Sequence, residues 1–211
     1  MKQHFFDFNL LDDYSSENFF VSTSNSSAFN YVLSNKIINN CIIKGPNKSG
    51  KTHLGLIWTK KNDSIIYNDQ NYEFIISQKK NIFVDNIFNN LNEEKIFHII
   101  NHCNTHSLNM LITSNISLND YIFKLKDLES RLRSFNYIEI DNPDDLLLNN
   151  LLIKLLSDKQ IIVKNDEIFA YILKRINRTY LDIFKFVEKV DKLSLETKRE
   201  LTIPFIKKLL Y

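Results

Sequence analysis

Gly45-Pro46-Asn47-Lys48-Ser49-Gly50-Lys51-Thr52 is the stretch that decides the fold, because it meets G-x-x-x-x-G-K-[ST] without a gap. The pattern carries meaning only where a strand feeds it and a helix leaves it, and both flanks comply. Residues 41–44 read as a short strand buried on both faces, and residues 51–60 show helical apolar spacing. The glycines let backbone N–H groups curl round phosphate oxygens, and the helix start adds the positive end of its dipole. Lys51 brings charge to the β- and γ-phosphates, and Thr52 a hydroxyl for Mg²⁺. Pro46, Asn47, Lys48, Ser49, Gly50 and His53 complete the expected cradle for ADP or ATP.

Working outward, short apolar runs at 64–67, 82–85, 110–113 and 137–140, each read as a strand buried on both faces, alternate with amphipathic stretches at 26–35, 93–104 and 127–133. Such alternation predicts an α/β fold, a parallel sheet with helices on both faces and ligands at the strand C-termini. Residues 81–85, Asn-Ile-Phe-Val-Asp, supply an acidic strand end. Asp85 is the expected second Mg²⁺ group, directly or through water, with capping of the next helix as the alternative. The following residue, Asn86, is an amide that cannot accept a proton as a carboxylate can, so intrinsic hydrolysis should be slow. Beyond Pro143 the spacing is helical at 144–157, 166–177, 179–193 and 204–210, with a short strand-like run only at 161–163. The expected organisation is an N-terminal peptide (1–12), an α/β core (13–143) and a small α-helical lid (144–211).

Bulk composition excludes several classes. Hydrophobic residues at 44% and charged residues at 25% suit a globular chain, and a net charge of +2 is too small for a protein that coats nucleic acid. Cys41 and Cys103 are expected as reduced core thiols. No run approaches the ~20 apolar residues that span a bilayer. The apolar N-terminus is interrupted by Asp7, Asp12 and Asp13, which removes a signal-peptide core and points to the cytoplasm, with no membrane partner. His98, His102 and His106 recur on one helical face beside Cys103, but without a supporting carboxylate a zinc site is set aside. Lys159, Lys164, Lys174, Arg175 and Arg178 read as a solvated basic face.

The ordered series of motifs resembles the DnaA-like branch of the AAA+ ATPases, and within it the Hda-type regulators. The likeness runs through residues 17–25, Gly50-Lys51-Thr52-His53-Leu54 with Trp58, residues 96–101, residues 111–115, Leu128-Glu129-Ser130-Arg131-Leu132, and Lys198-Arg199-Glu200-Leu201-Thr202-Ile203-Pro204-Phe205. It implies an AAA+ P-loop core with a helical lid and nucleotide between them. Phe20 and Val21 would lie in the segment that cups the adenine. Asn115 would be the sensor that positions water. Arg131, by residue chemistry alone an ordinary surface arginine, would be an arginine finger acting in trans.

The lid departs from the pattern, since the sensor-arginine position aligns with Leu181; Arg178 would stand in. Gln3, Phe6 and Phe8 form Q-x-x-Φ-x-Φ, similar to a sliding-clamp-binding peptide, with an N-terminal strand packed on its own domain as the alternative. The chain ends shortly after the lid motif, so the DNA-reading helix-turn-helix of the initiators is not expected. The implied partners are the initiator DnaA and the sliding clamp, with DNA reached through the clamp and a homodimer also compatible. The rival reading is a helicase-loader-type or transposition-type ATPase with its own turnover on single-stranded DNA.

Overall fold

Alternate residues of each interior strand feed opposite cores, which is how the sheet takes helices on both faces. A computed structural model describes residues 14–34, 39–163, 165–197 and 201–210. Five parallel strands, β1 (Cys41–Lys44), β2 (Ile65–Ile66), β3 (Ile82–Val84), β4 (Met110–Ser114) and β5 (Asn136–Glu139), lie in the order β2-β3-β4-β1-β5. Cys41, Ile43, Phe83 and Leu111 pack with Ala28, Leu54 and Trp58 of α1 (Ser26–Leu33) and α2 (Lys51–Lys61). Ile42, Ile82, Val84 and Ile112 pack with Ile75, Ile99 and Leu128 of α3 (Tyr72–Ser77), α4 (Glu93–Thr105) and α5 (Lys126–Arg133). The chain leaves β1 for the far edge, returns strand by strand to β4, then crosses to β5. This reversal opens a crevice at the carboxyl end of β1.

The remaining helices, α6 (Asp145–Asp158), α7 (Glu167–Leu173), α8 (Tyr180–Thr197) and α9 (Ile203–Leu210), enclose a core that includes Leu148, Leu152, Ile172, Ile183, Val190 and Ile206. Leu147 and Tyr180 instead join the sheet-side core, so the lid is seated on the α/β layer. Asp144 caps α6 by accepting from the Leu147 N–H at 2.8 Å, and takes the Thr23 hydroxyl at 2.9 Å.

Several expectations are corrected. Residues 161–163 form no strand, because the Ile161 N–H is spent on the Leu156 carbonyl that closes the end of α6. The helix expected at 166–177 stops at Leu173. The outer strands β2 and β5 are not buried on both faces, and Tyr137 is 43% exposed. Helix α3 has only six residues, too few for a readable period. Several asparagines act as hydrogen-bond partners of backbone N–H groups at the starts of elements. Asn92 caps α4 at the Lys95 N–H, and the Asn40 and Asn81 amide oxygens accept from Met110 and Asn109 N–H at the start of β4. Both cysteines are buried and free, and burial pushes each thiol up to about 12. Among the described residues no helix is long and apolar enough to cross a membrane.

Gly55 sets the distance between α2 and the sheet, since a Cβ there would lie 1.9 Å from Phe83 Cζ. Phe83 is 1% exposed and cannot swing aside. Gly55→Ala gains about 1 kcal/mol of helix propensity but meets an overpacking cost near the top of the ~1–3 kcal/mol range. The net loss of about 2 kcal/mol should lower the melting temperature by roughly 4–8 °C, read by calorimetry.

Candidate nucleotide-binding site

The crevice is floored by the loop between β1 and α2. Its first residue, Gly45, donates its N–H to the Ser114 carbonyl of β4 at 3.0 Å, carrying the strand pairing into the loop. Lys48 and Gly50 then take left-handed backbone angles, φ +66° and +87°, the alternation that turns successive N–H groups to one side. Gly50 is also constrained from beneath, where an added Cβ would meet Phe19 Cε2 at 2.7 Å. The residues fit a phosphate on two further counts. Ser49 is buried with its hydroxyl unpartnered among the described residues. The first turn of α2, starting at Lys51, offers N–H groups that no intrahelical carbonyl can reach.

Lys51 is 5% exposed and donates to the carbonyls of Gly45 at 2.9 Å and Pro46 at 2.7 Å. Burial lowers its ammonium to about 8, with the Asp85 carboxylate pulling the other way. An unfolded lysine keeps its proton to about 10.4, so between those values the ligand-free protein gains stability as pH rises. Phosphate needs the protonated form, so nucleotide affinity should hold below pH 8 and fall above it. The expected slope is up to about tenfold per pH unit until the complex itself titrates. Calorimetric titrations from pH 7 to 9.5 would read this, and a flat profile would sever Lys51 from binding.

The acidic strand end lies where the sequence places it. Thr52 Oγ1 donates to Asp85 Oδ2 at 2.8 Å, which brings together the two oxygens that would hold a Mg²⁺, directly or through water. Sequence reading missed the role of Thr113. Its buried hydroxyl donates to Asp85 Oδ1 at 2.5 Å and accepts the Asn86 N–H at 2.8 Å, fixing the carboxylate from behind. A hydroxyl within the apolar run of β4 was the available signal. Asn86 sits in a left-handed turn at φ +45°, so the residue directly after Asp85 carries an amide and no carboxylate. Asn115 comes immediately after β4; the pairing of Ser114 with Lys44 sets it level with Gly45.

The flanks are held by the segment before α1 and by the lid. Phe20 and Val21 are exposed, and the Asn25 side chain fixes their backbone by donating to the Phe20 carbonyl at 2.9 Å. Lys154 of α6 donates to the Asn18 carbonyl at 2.8 Å and lies 5.7 Å over the Phe20 ring. The His53 ring meets the Ser15 carbonyl at 2.9 Å and stands edge-on to Phe19 and Tyr14. Its part in a phosphate cradle would therefore run through the backbone. Arg178 donates to Asp145 at the start of α6. The contact of the P-loop with α8 is made by Lys48, whose ammonium lies 5.2 Å over the Phe184 ring, one turn beyond Leu181. Pro46 and Asn47 occupy the tip of the loop.

Arg131, on α5, stacks its guanidinium 5.1 Å over the Phe97 ring of α4. Its neighbour Glu129 is taken up by Lys126 and Arg133, and no carboxylate pairs with Arg131 among the described residues. Gln3, Phe6 and Phe8 lie outside the described residues. On α4, His102 meets the Gln78 carbonyl at 2.8 Å, and no group of three potential metal ligands forms among the described residues.

Comparison with known proteins places this geometry. Residues 152–210 match the family model of the Hda lid domain. An uncharacterized protein of Haemophilus influenzae is 26% identical over 188 residues, covering 80% of each chain. Domain III of the Thermotoga maritima replication initiation protein DnaA superposes with a TM-score of 0.78 at 18% identity, over 94% of this chain and 96% of that one. DnaA from Aquifex aeolicus bound to AMPPCP gives 0.68 at 19% identity, over 88% and 67%. A Thermotoga maritima RuvB gives 0.69 at 16% identity, over 93% and 70%. At such identities the structural likeness speaks for the fold.

Proposed function

We propose that this chain, whose residues 152–210 match the Hda lid model and whose fold superposes on domain III of DnaA, is a regulator of replication initiation that acts on the ATP of DnaA. It binds ADP or ATP with Mg²⁺ through Gly50, Lys51, Thr52 and Asp85, docks on the sliding clamp through Gln3, Phe6 and Phe8, and presents Arg131 to the partner's phosphates. The observation that carries this reading is the state of Arg131, stacked on Phe97 and outside any ion pair among the described residues. A planar guanidinium in that state retains its fork of donors for charge developing on a transferred phosphoryl group. Within the chain's own site, Asn86 supports slow turnover, since it offers no carboxylate to polarise an attacking water. The lid supports the same reading: Phe184 of α8 takes the Lys48 ammonium of the P-loop, while Arg178 is engaged by Asp145, so lid and loop meet through Lys48 rather than through a lid arginine.

The test is steady-state ATP hydrolysis by DnaA with DNA-loaded clamp, with and without this chain. Stimulation that needs both clamp and chain is expected. Turnover by the chain alone, increased by single-stranded DNA, would transfer the function to an ATP-driven loader or transposition-type ATPase.

A further inference from the structure

Glu93 and Phe97 stand four residues apart on one face of α4, and each holds something outside the helix. Phe97 carries the Arg131 guanidinium. Glu93, 9% exposed, receives the Lys124 N–H at 3.1 and 3.0 Å on its two oxygens and the Leu125 N–H at 2.7 Å, with the Tyr121 hydroxyl at 3.4 Å. This carboxylate therefore fixes the loop at 121–125, which leads directly into α5 and Arg131. Tyr121 and Phe123 turn inward onto Phe88, with ring centroids at 4.5 and 6.0 Å. Ile122, between them, turns out and is 91% exposed, the most exposed large apolar side chain among the described residues.

A lone exposed isoleucine is ordinary on a protein surface. What calls for an explanation is the apparatus beneath it, a buried carboxylate and an aromatic cluster that immobilise a loop whose tip is apolar. Arg133 of α5 donates to Asn119 Oδ1 at 2.8 Å, while Glu93 holds Lys124 and Leu125 at the other end of that helix, so the loop carrying Ile122 runs back alongside α5. A partner that meets Arg131 on α5 therefore meets this loop. A loop already held in place loses little freedom on association, which favours its use as a contact.

We propose that Ile122 is a partner contact, an aliphatic knob set by Glu93 that enters an apolar depression on the ATP-bound AAA+ subunit approached by Arg131. This rests on the reading of Arg131 given above. The two residues divide the work: Arg131 meets anionic phosphate and governs turnover, while Ile122 gives up water and governs how tightly the partner is held. Glu93 acts through the loop as a positioning residue.

The experiment titrates the chain into ATP-loaded DnaA with DNA-loaded clamp and reads hydrolysis. Ile122→Asp should raise the concentration for half-maximal stimulation about tenfold or more, while the plateau rate stays within about twofold. Ile122→Val should restore the wild-type midpoint. Glu93→Gln, which keeps one acceptor oxygen, should fall between. An Ile122→Asp titration that superimposes on wild type, beside a wild type that does stimulate, overturns the proposal and leaves the Arg131 reading intact. Sedimentation in which Ile122→Asp abolishes self-association, with the titration unchanged, also overturns it and assigns the knob to a second copy of this chain. A wild type without stimulation removes the Arg131 reading, and this proposal with it.

Discussion

Arg131→Ala should leave the chain's own nucleotide affinity unchanged while returning DnaA turnover to its basal rate, a loss of about a thousandfold where stimulation is full. The separation follows from what Arg131 touches. Its described contacts are the Phe97 ring of α4 and the Ser134 side chain and backbone at the end of α5, with none to residues 45–52. Arg131→Lys keeps the charge but not the planar fork, and should recover little of the stimulation. Phe97→Leu tests the platform: the guanidinium loses its ring, so stimulation should fall while nucleotide binding stays constant. Clamp retention measured in parallel shows whether the variant still reaches the complex. An Arg131→Ala protein that stimulates fully would end the proposed role.

The second large effect is at Lys51. Lys51→Ala removes the cation expected at the phosphates and leaves the Gly45 and Pro46 carbonyls without their donor. Charge-assisted hydrogen bonds contribute about 1.5–3 kcal/mol each, so affinity for ADP and ATP should fall by about a hundredfold or more, measured by calorimetric titration. The fold should survive, since Lys51 is the first residue of α2 and makes no part of either sheet-side core. Far-UV circular dichroism separates loss of the site from loss of the protein. Stimulation of DnaA by this variant then reports whether the resident nucleotide shapes the Arg131 face. Nucleotide affinity within a few-fold of wild type would show that the P-loop is not the binding site.

How much of this was legible in the sequence depends on whether the interaction is local. The P-loop reads directly because its residues answer to their own backbone and to phosphate, and the structure gives Gly50 and Lys48 the left-handed angles such a loop needs. Buried strands read nearly as well: β1 has the expected ends, and β3 and β4 differ by one residue. The edge strands were placed to within a residue at each end, but their exposure was not read, because a strand such as β5 is held by its single neighbour β1 rather than by burial of its own side chains. The misread run at 161–163 has strand-forming side chains, but its first N–H closes a helix, a fact of backbone accounting that composition does not carry.

The candidate site divides the same way. Thr52 and Asp85 were foreseen and lie within hydrogen-bond distance. Thr113 sits in the strand anticipated, yet its role depends on register, since the pairing of Val84 with Ile112 sets the next residues, Asp85 and Thr113, side by side. The Phe97–Arg131 stack, the Glu93 clamp and the Lys48–Phe184 contact join elements 25 or more positions apart, and no spacing rule reaches that far.

The most direct measurement follows a single turnover of ATP that starts in DnaA alone. DnaA is loaded with labelled ATP, the chain with unlabelled ADP, and the two are mixed on DNA-loaded clamp while labelled ADP is counted against time. The expected result is rapid conversion of the DnaA-bound label, dependent on clamp and absent with Arg131→Ala. A DnaA-bound label whose lifetime is unchanged by the chain would contradict hydrolysis in the partner, the central claim made for Arg131.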